Sequence, residues 1–410
     1  MKPRLQRWLL INFQGMMCVR YLKNTNIQLL IALTLAYVLH PFLSVNAVAF
    51  FYSLSLALKD VLMLVLPFLI FFYVAAALTS FKKAAPLMVL SLFVLVVLSN
   101  ALTVLTAYGV GSLALKWLCG KTVIELSNSS VPLPILFKWP LPQLIKNEWA
   151  LIAGIVVGIG CSIIPAHRRE SIVGFVQSGK ITATTILKKG FIPILPLYVL
   201  GFGMKLIHNG SLATLLESYS KVFILSSTVI LTYIVLMYLI ATGFSINKTL
   251  AAIKNMLPAW LTGFSTMSSA IAMPMTLAGT EKNIKDTSFA QFVVPTTANI
   301  HMVGDGLNIA LTALALLVMA GYGLPSFDAY LVFVMYYCLA KFSSAGVPGG
   351  GVIVILPVVE QYLGLNADLT SLLATIYILQ DSLMTSSNVM ANGAFAMITH
   401  KIFKKIGWQE

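Results

Sequence analysis

Long apolar runs alternate with short polar ones along this chain. Six of the runs, at about 27–43, 47–79, 85–117, 149–166, 190–207 and 221–243, carry few interior charges. Roughly 20 apolar residues cross a bilayer as a helix, so most of these runs are long enough to span. The longest polar interval, "GKTVIELSNSSVPLPILFKWPLPQLIKNEW", separates the third run from the fourth. An amphipathic connector joins the fourth to the fifth.

The pattern changes after residue 255. The segment at 257–279 is apolar but studded with Ser, Thr and Pro. The segment at 293–321 places His301, Gly304, Asp305 and Gly306 inside an apolar run. The segment at 330–364 is interrupted by "SSAGVPGGG", and the last, about 368–398, holds "LQDSLMTSSNVMANGAF". Non-helical backbone at membrane depth is tolerated only where protein buries it or water reaches it, and transporters use such breaks to build a site near the midplane. The expectation is an all-α membrane protein with about eight transmembrane helices and two re-entrant helical hairpins.

Composition supports that class. Of 410 residues, 59% are hydrophobic and 10% charged, against about 25% charged in soluble domains. The net charge of +14 is gathered in short basic stretches: "MKPRLQRW", Lys82–Lys83, Arg168–Arg169, Lys188–Lys189, Lys282 with Lys285, and "KIFKKIG". Short basic loops mark the cytoplasmic side of a membrane, so the charge is a topology signal and not a nucleic-acid surface. Both termini are then expected in the cytoplasm. Cys18, Cys119, Cys161 and Cys338 form no CxxC pair and no spacing typical of a metal site.

Candidate chemistry lies in the C-terminal third. Asp381, Thr385, Asn388 and Asn392 are spaced for one helical face, and an ionisable group within a membrane segment marks a site by default. Asp381 is the leading candidate, against the simpler role of tying a hairpin tip by hydrogen bonds. His301 and Asp305 are four residues apart. On a helix they would pair and could carry a proton. On unwound backbone, carbonyls would instead face a cation. No HExxH, GxSxG or Walker pattern occurs, so no enzyme is expected.

The order of these segments, and the motifs in them, resemble the dicarboxylate/amino acid:cation symporter family, which includes the glutamate transporters. "SSAGVPGGG" is similar to that family's second hairpin tip and "MSSAIAMP" (267–274) to its serine-rich first hairpin. "NIHMVGDG" (299–306) stands where the family has Asn-Met-Asp-Gly-Thr, and "DSLMTSSNVMAN" (381–392) on the polar face of its last span. The resemblance implies a homotrimer whose transport domain slides across the bilayer with its substrate, with no cofactor beyond a coupling ion, Na+ or H+. It implies a cytoplasmic arm at 1–26, six spans at 27–254 and a transport core with both hairpins at 255–400, then a tail at 401–410. Spans one, two, four and five would form the scaffold, and spans three and six would join the core. By carry-over, Ser268, Ser269 and the backbone of Ser344, Ala345, Gly346, Val347 and Pro348 hold a substrate carboxylate with Asn388. Asp381 and Thr385 hold an amino group. Cation coupling would fall to Asn299, His301, Met302, Ser343, Asn388 and Asn392, with Ser99 and Asn100 in the third span. A sodium ion could sit at the backbone of Asn299, Ser343 and Ala345.

Several positions depart from the family pattern. Met384 stands where the family has its substrate-selecting arginine, and Asp305 where it has threonine. An acidic substrate side chain would then lack its bidentate partner, so the expected substrate is neutral or cationic. Val303 and Asn392 replace two sodium-binding carboxylates, and His301 an asparagine. Coupling is then expected by protons through His301 and Asp305, or by a single sodium. The expected protein is a secondary active transporter of an amino acid or small carboxylate in a bacterial inner membrane. The alternatives are a non-transporting sensor or an obligate exchanger.

Overall fold

The computed structural model describes residues 25–79, 86–119, 133–137, 145, 147–164, 166–208, 211–344 and 349–405. Among them there are helices and no strands. In chain order they are α1 (Thr25–Leu39), α2 (Val45–Thr79), α3 (Pro86–Cys119), α4 (Asn147–Ile163), α5 (Ala166–Thr185), α6 (Ile192–His208), α7 (Ser211–Thr242) and α8 (Ile246–Thr266). Then come α9 (Ser269–Ile284), α10 (Thr287–Thr297), α11 (Val303–Met319), α12 (Phe327–Lys341), α13 (Gly350–Ile353), α14 (Leu356–Leu363) and α15 (Ala367–Lys405). The amphipathic connector is a helix, α5, and a π-helical turn at Ile186–Phe191 joins it to α6.

The helices are inverted relative to those of a soluble protein. On α3, Leu90, Leu98, Leu102, Leu113 and Trp117 face outward while Asn100 and Thr103 are buried. On α7, Ile224, Leu231, Val235, Leu236 and Ile240 face outward while Ser226 is buried. Apolar outside and polar inside is the polarity of helices whose solvent is hydrocarbon. Long runs without interior charge make such helices possible. Short polar side chains make them pack, since lipid offers no hydrophobic drive for association.

Local chemistry sets the helix boundaries after residue 242. Gly243 and Phe244 take positive φ and end α7. Met267, left-handed at φ 50°, closes α8, and the Ser268 side chain accepts from the Ile271 N–H to start α9. Asp286 caps α10 through the Phe289 N–H, and Asn366 caps α15 through the Leu369 N–H. Each such cap satisfies one of the donors a helix start leaves open. The short links fold α9 back along α8, so that Asn255 Nδ2 donates to Asn283 Oδ1 at 2.8 Å.

Helices α1, α2, α4, α5 and α6 pack on one another. Helices α3, α7, α8, α9 and α11 pack together around α15, and α12 lies on α3 and α14. Where α15 begins, it meets the first group through a charged trio. Lys205 Nζ of α6 lies 2.6 Å from Asp368 Oδ1 and donates to the Tyr52 hydroxyl of α2 at 2.8 Å. The Tyr52 hydroxyl in turn donates to Asp368 Oδ1 at 3.2 Å. Cys119, Cys161 and Cys338 are free buried thiols; Cys18 lies outside the described residues.

Candidate functional site: a buried ion pair beneath a glycine-rich tip

The site forms where two helix breaks meet the polar face of α15. The first break runs from Ala298 to Met302, between α10 and α11. Its backbone does not go unsatisfied. Asn100 of α3 donates from Nδ2 to the Ile300 carbonyl at 2.8 Å and accepts the Met302 N–H at 3.2 Å. One buried amide thus serves both a donor and an acceptor that a continuous helix would have paired internally. Ser99, beside it, hydrogen-bonds His301 Nε2 at 2.9 Å, and the imidazole stacks on Phe395 with ring centroids 4.1 Å apart.

The expected pairing of His301 with Asp305 is not present. The two lie on either side of the helix start at Val303, so helical spacing does not bring them together. His301 turns to α3 and α15, and Asp305 turns to a different set of partners. Asp305 is the third residue of α11, where the helix dipole favours an acid. Its Oδ2 accepts from Lys341 Nζ at 2.7 Å. Its Oδ1 accepts from the Tyr377 hydroxyl at 2.8 Å and from Asn388 Nδ2 at 2.7 Å. Asn388 Oδ1 accepts the Asp305 N–H at 3.2 Å. Both Lys341 and Asp305 are buried, with side chains 0% and 1% exposed. The charge that Asp305 adds to the pocket, counted above toward a neutral or cationic substrate, is therefore offset by Lys341.

Lys341 is the residue that motif reasoning passed over. The signal was available: an ionisable side chain in the apolar run "YLVFVMYYCLAKF" marks a site by default. Tyr377, one turn before Asp381, was also missed. So was the buried pair Asn308–Gln380, in which Asn308 Nδ2 donates to Gln380 Oε1 at 2.7 Å.

The second break is the glycine-rich segment. Of its residues, Ala345, Gly346, Val347 and Pro348 lie outside the described residues, so their expected substrate contacts are not placed. At its near end the Ser344 N–H bonds the Lys341 carbonyl. At its far end Gly349 takes φ +72°, and its N–H donates to Asp381 Oδ2 at 2.6 Å. Thr385 Oγ1 donates to Asp381 Oδ1 at 2.8 Å. The predicted α15 face is thus brought together: Asp381, Thr385, Asn388 and Asn392 are all buried, as is Met384. Asn392 serves packing here, accepting from Thr297 Oγ1. Ser268 and Ser269 are buried at the α8–α9 turn. Asn299 Oδ1 and Ser343 Oγ, both expected near a cation, are buried atoms without a hydrogen-bond partner among the described residues.

Gly351 explains why the tip is rich in glycine. A Cβ there would run into Asp305 Oδ2 and the Tyr377 hydroxyl, and its carbonyl accepts from Lys341 Nζ at 2.9 Å. Gly351→Ala is expected to cost about 1–3 kcal/mol, as overpacking does in tight interiors. A melting curve of the purified variant checks this, and an unchanged midpoint would show that the cage yields freely.

A polar cage enclosed by helices with apolar outer faces, and touched by Gly349 and Gly351, is what a membrane-embedded binding site requires. The chain belongs to the sodium:dicarboxylate symporter family, whose model matches residues 26–402. That family is one of membrane symporters, and the relatives this chain matches are named as transporters and not as enzymes. The chain is 31% identical over 152 residues to an excitatory amino acid transporter of Onchocerca volvulus, a stretch covering 37% of this chain and 30% of that protein. It is 31% identical over 147 residues to excitatory amino acid transporter 2 of Homo sapiens, covering 36% of this chain and 25% of that protein. The matched stretches thus span about a third or less of these relatives.

Proposed function

We propose that the protein is a secondary active transporter that moves an amino acid, or a similar small carboxylate, in symport with a cation. The observation that carries the substrate class is Asp381. Two acids are fully buried among the described residues, Asp305 and Asp381. Lys341 offsets the first. The second has no basic side chain at ion-pair distance among the described residues; it accepts the Gly349 N–H of the tip and, on its own helix, the Thr385 hydroxyl. When the tip lifts, Asp381 Oδ2 loses its backbone donor and is free to take a substrate ammonium group, the charge-assisted bond a carboxylate prefers. The substrate carboxylate then falls to Ser269, the backbone of 344–348 and Asn388.

Met384 supplies no positive charge for an acidic side chain, so the side chain is neutral or cationic. Pairing of Asp305 with Lys341 tilts this toward neutral. The relatives' names, excitatory amino acid transporters, support the amino-acid class. Coupling is by Na+ or H+. Carriage is by an elevator motion of a core containing α8–α15 against the group of α1, α2, α4, α5 and α6, in a trimer. The protein sits in a bacterial cytoplasmic membrane with both ends inside.

Uptake of labelled amino acids into proteoliposomes, under a sodium or a proton gradient imposed singly, tests this reading. The expected result is accumulation of a neutral amino acid under one of the two gradients. Best displacement by acidic amino acids would sink the side-chain assignment. Uptake that needs internal substrate would make the protein an exchanger, and binding without uptake a sensor.

A further inference from the structure

The Lys341 ammonium has surroundings that resemble the coordination of a free cation more than the surroundings of a side chain at a helix end. Within reach of Nζ are a carboxylate oxygen of Asp305 at 2.7 Å, the Gly351 carbonyl oxygen at 2.9 Å and the Met302 sulfur at 3.7 Å. The Tyr337 ring centroid lies 5.4 Å away. Each of these groups offers electron density to a cation. The set comes from three elements: Met302 and Asp305 at the broken helix, Gly351 at the tip, and Tyr337 on α12. The residue is fully buried. Burial of an ammonium is costly and is sustained only where charge and hydrogen bonds both return the loss.

We propose that Lys341 is a built-in cation. Its ammonium fills a cage between the glycine-rich tip and the broken helix that would otherwise demand a dissociable ion. That corner of the closed carrier then assembles without taking sodium or potassium from solution. A tethered charge is present at high effective concentration, so this contact does not vary with external salt. Any ion that drives transport must act elsewhere. The role as a link between tip and core rests on the transporter reading above; the occupancy of the cage by a fixed cation does not.

The test measures thermal unfolding of purified, substrate-free protein, and so does not depend on transport. Wild type, Lys341→Ala, Lys341→Ser and the double variant Lys341→Met/Asp305→Asn are compared in sodium, potassium, methylammonium and N-methylglucamine chlorides at equal ionic strength. The single variants are expected to melt lower than wild type in N-methylglucamine. Methylammonium or sodium should restore most of the lost melting temperature, saturably. The double variant has no charged group left in the Lys341 cage and should show no cation response beyond that of wild type, which carries the same Asp381. Single variants no more responsive than wild type would overturn the proposal. So would a double variant that responds as strongly as the singles. Failure of both single variants to fold in every salt, with the double variant folded, would overturn it too, since the cage would then accept no free cation.

Discussion

Asp305→Ala should destabilise the protein by about 3–5 kcal/mol, the cost of leaving one partner of a buried ion pair alone. The substitution strands Lys341 in a fully buried position, facing a carbonyl, a thioether and the Tyr337 ring among the described residues but no counter-charge at ion-pair distance. It also leaves the Tyr377 hydroxyl and the Asn388 amide without their acceptor, and an unsatisfied buried donor adds its own penalty. Adding Lys341→Met to Asp305→Ala should recover much of the loss, because apolar replacement of both charges removes the stranded one. A double-mutant cycle on melting temperature measures the coupling. Additive effects of the two substitutions would show that the pair does not act as a unit.

The second large effect is expected at Asp381, and here the choice of substitution matters. Alanine removes the acceptor for the Gly349 N–H together with the charge proposed for the substrate ammonium. Asparagine keeps a carbonyl oxygen for Gly349 and loses only the charge. A hydrogen bond to a charged group contributes about 1.5–3 kcal/mol, which is about 10- to 100-fold in affinity. Both variants should therefore bind the best substrate of the uptake panel at least tenfold more weakly. Only Asp381→Ala should also expose the 344–349 segment to added protease in the substrate-free protein. Wild-type affinity in Asp381→Asn would assign Asp381 to the tip alone.

The architecture was largely legible in the sequence because its causes are local. Apolar runs marked the helices, and Ser, Gly and Pro marked the break at 342–349; the break at 298–302 holds none of these, and Gly304 and Gly306, which pointed to unwound backbone, lie inside α11. The face of Asp381, Thr385, Asn388 and Asn392 followed from helical spacing, and it holds because α15 is one unbroken helix over that range. The same rule failed for His301 and Asp305, where the backbone changes state between them. The ion pair of Asp305 with Lys341 joins residues 36 apart in sequence. No periodicity reports such a contact, although a lone lysine in an apolar run was a sign that one must exist. The amphipathic 166–185 connector gave no spanning signal because many of its residues are polar. It forms a helix because polarity on its outer side costs nothing once Ala183 and Val176 are buried.

The trio of Tyr52, Lys205 and Asp368 has a consequence for timing. It joins the first turn of α15 to α6 and α2, the helices against which the proposed core must travel. Lys205 and Asp368 are 13% and 30% exposed, so water and salt reach the pair only in part and screen it less than a surface pair. On the elevator motion proposed above, it would act as a detent: a shallow catch that fixes one resting position and must be sprung before travel begins. The dwell time in that position is then set at the rim of the moving body, remote from the cage that recognises cargo. Turnover and selectivity can therefore be tuned by separate residues.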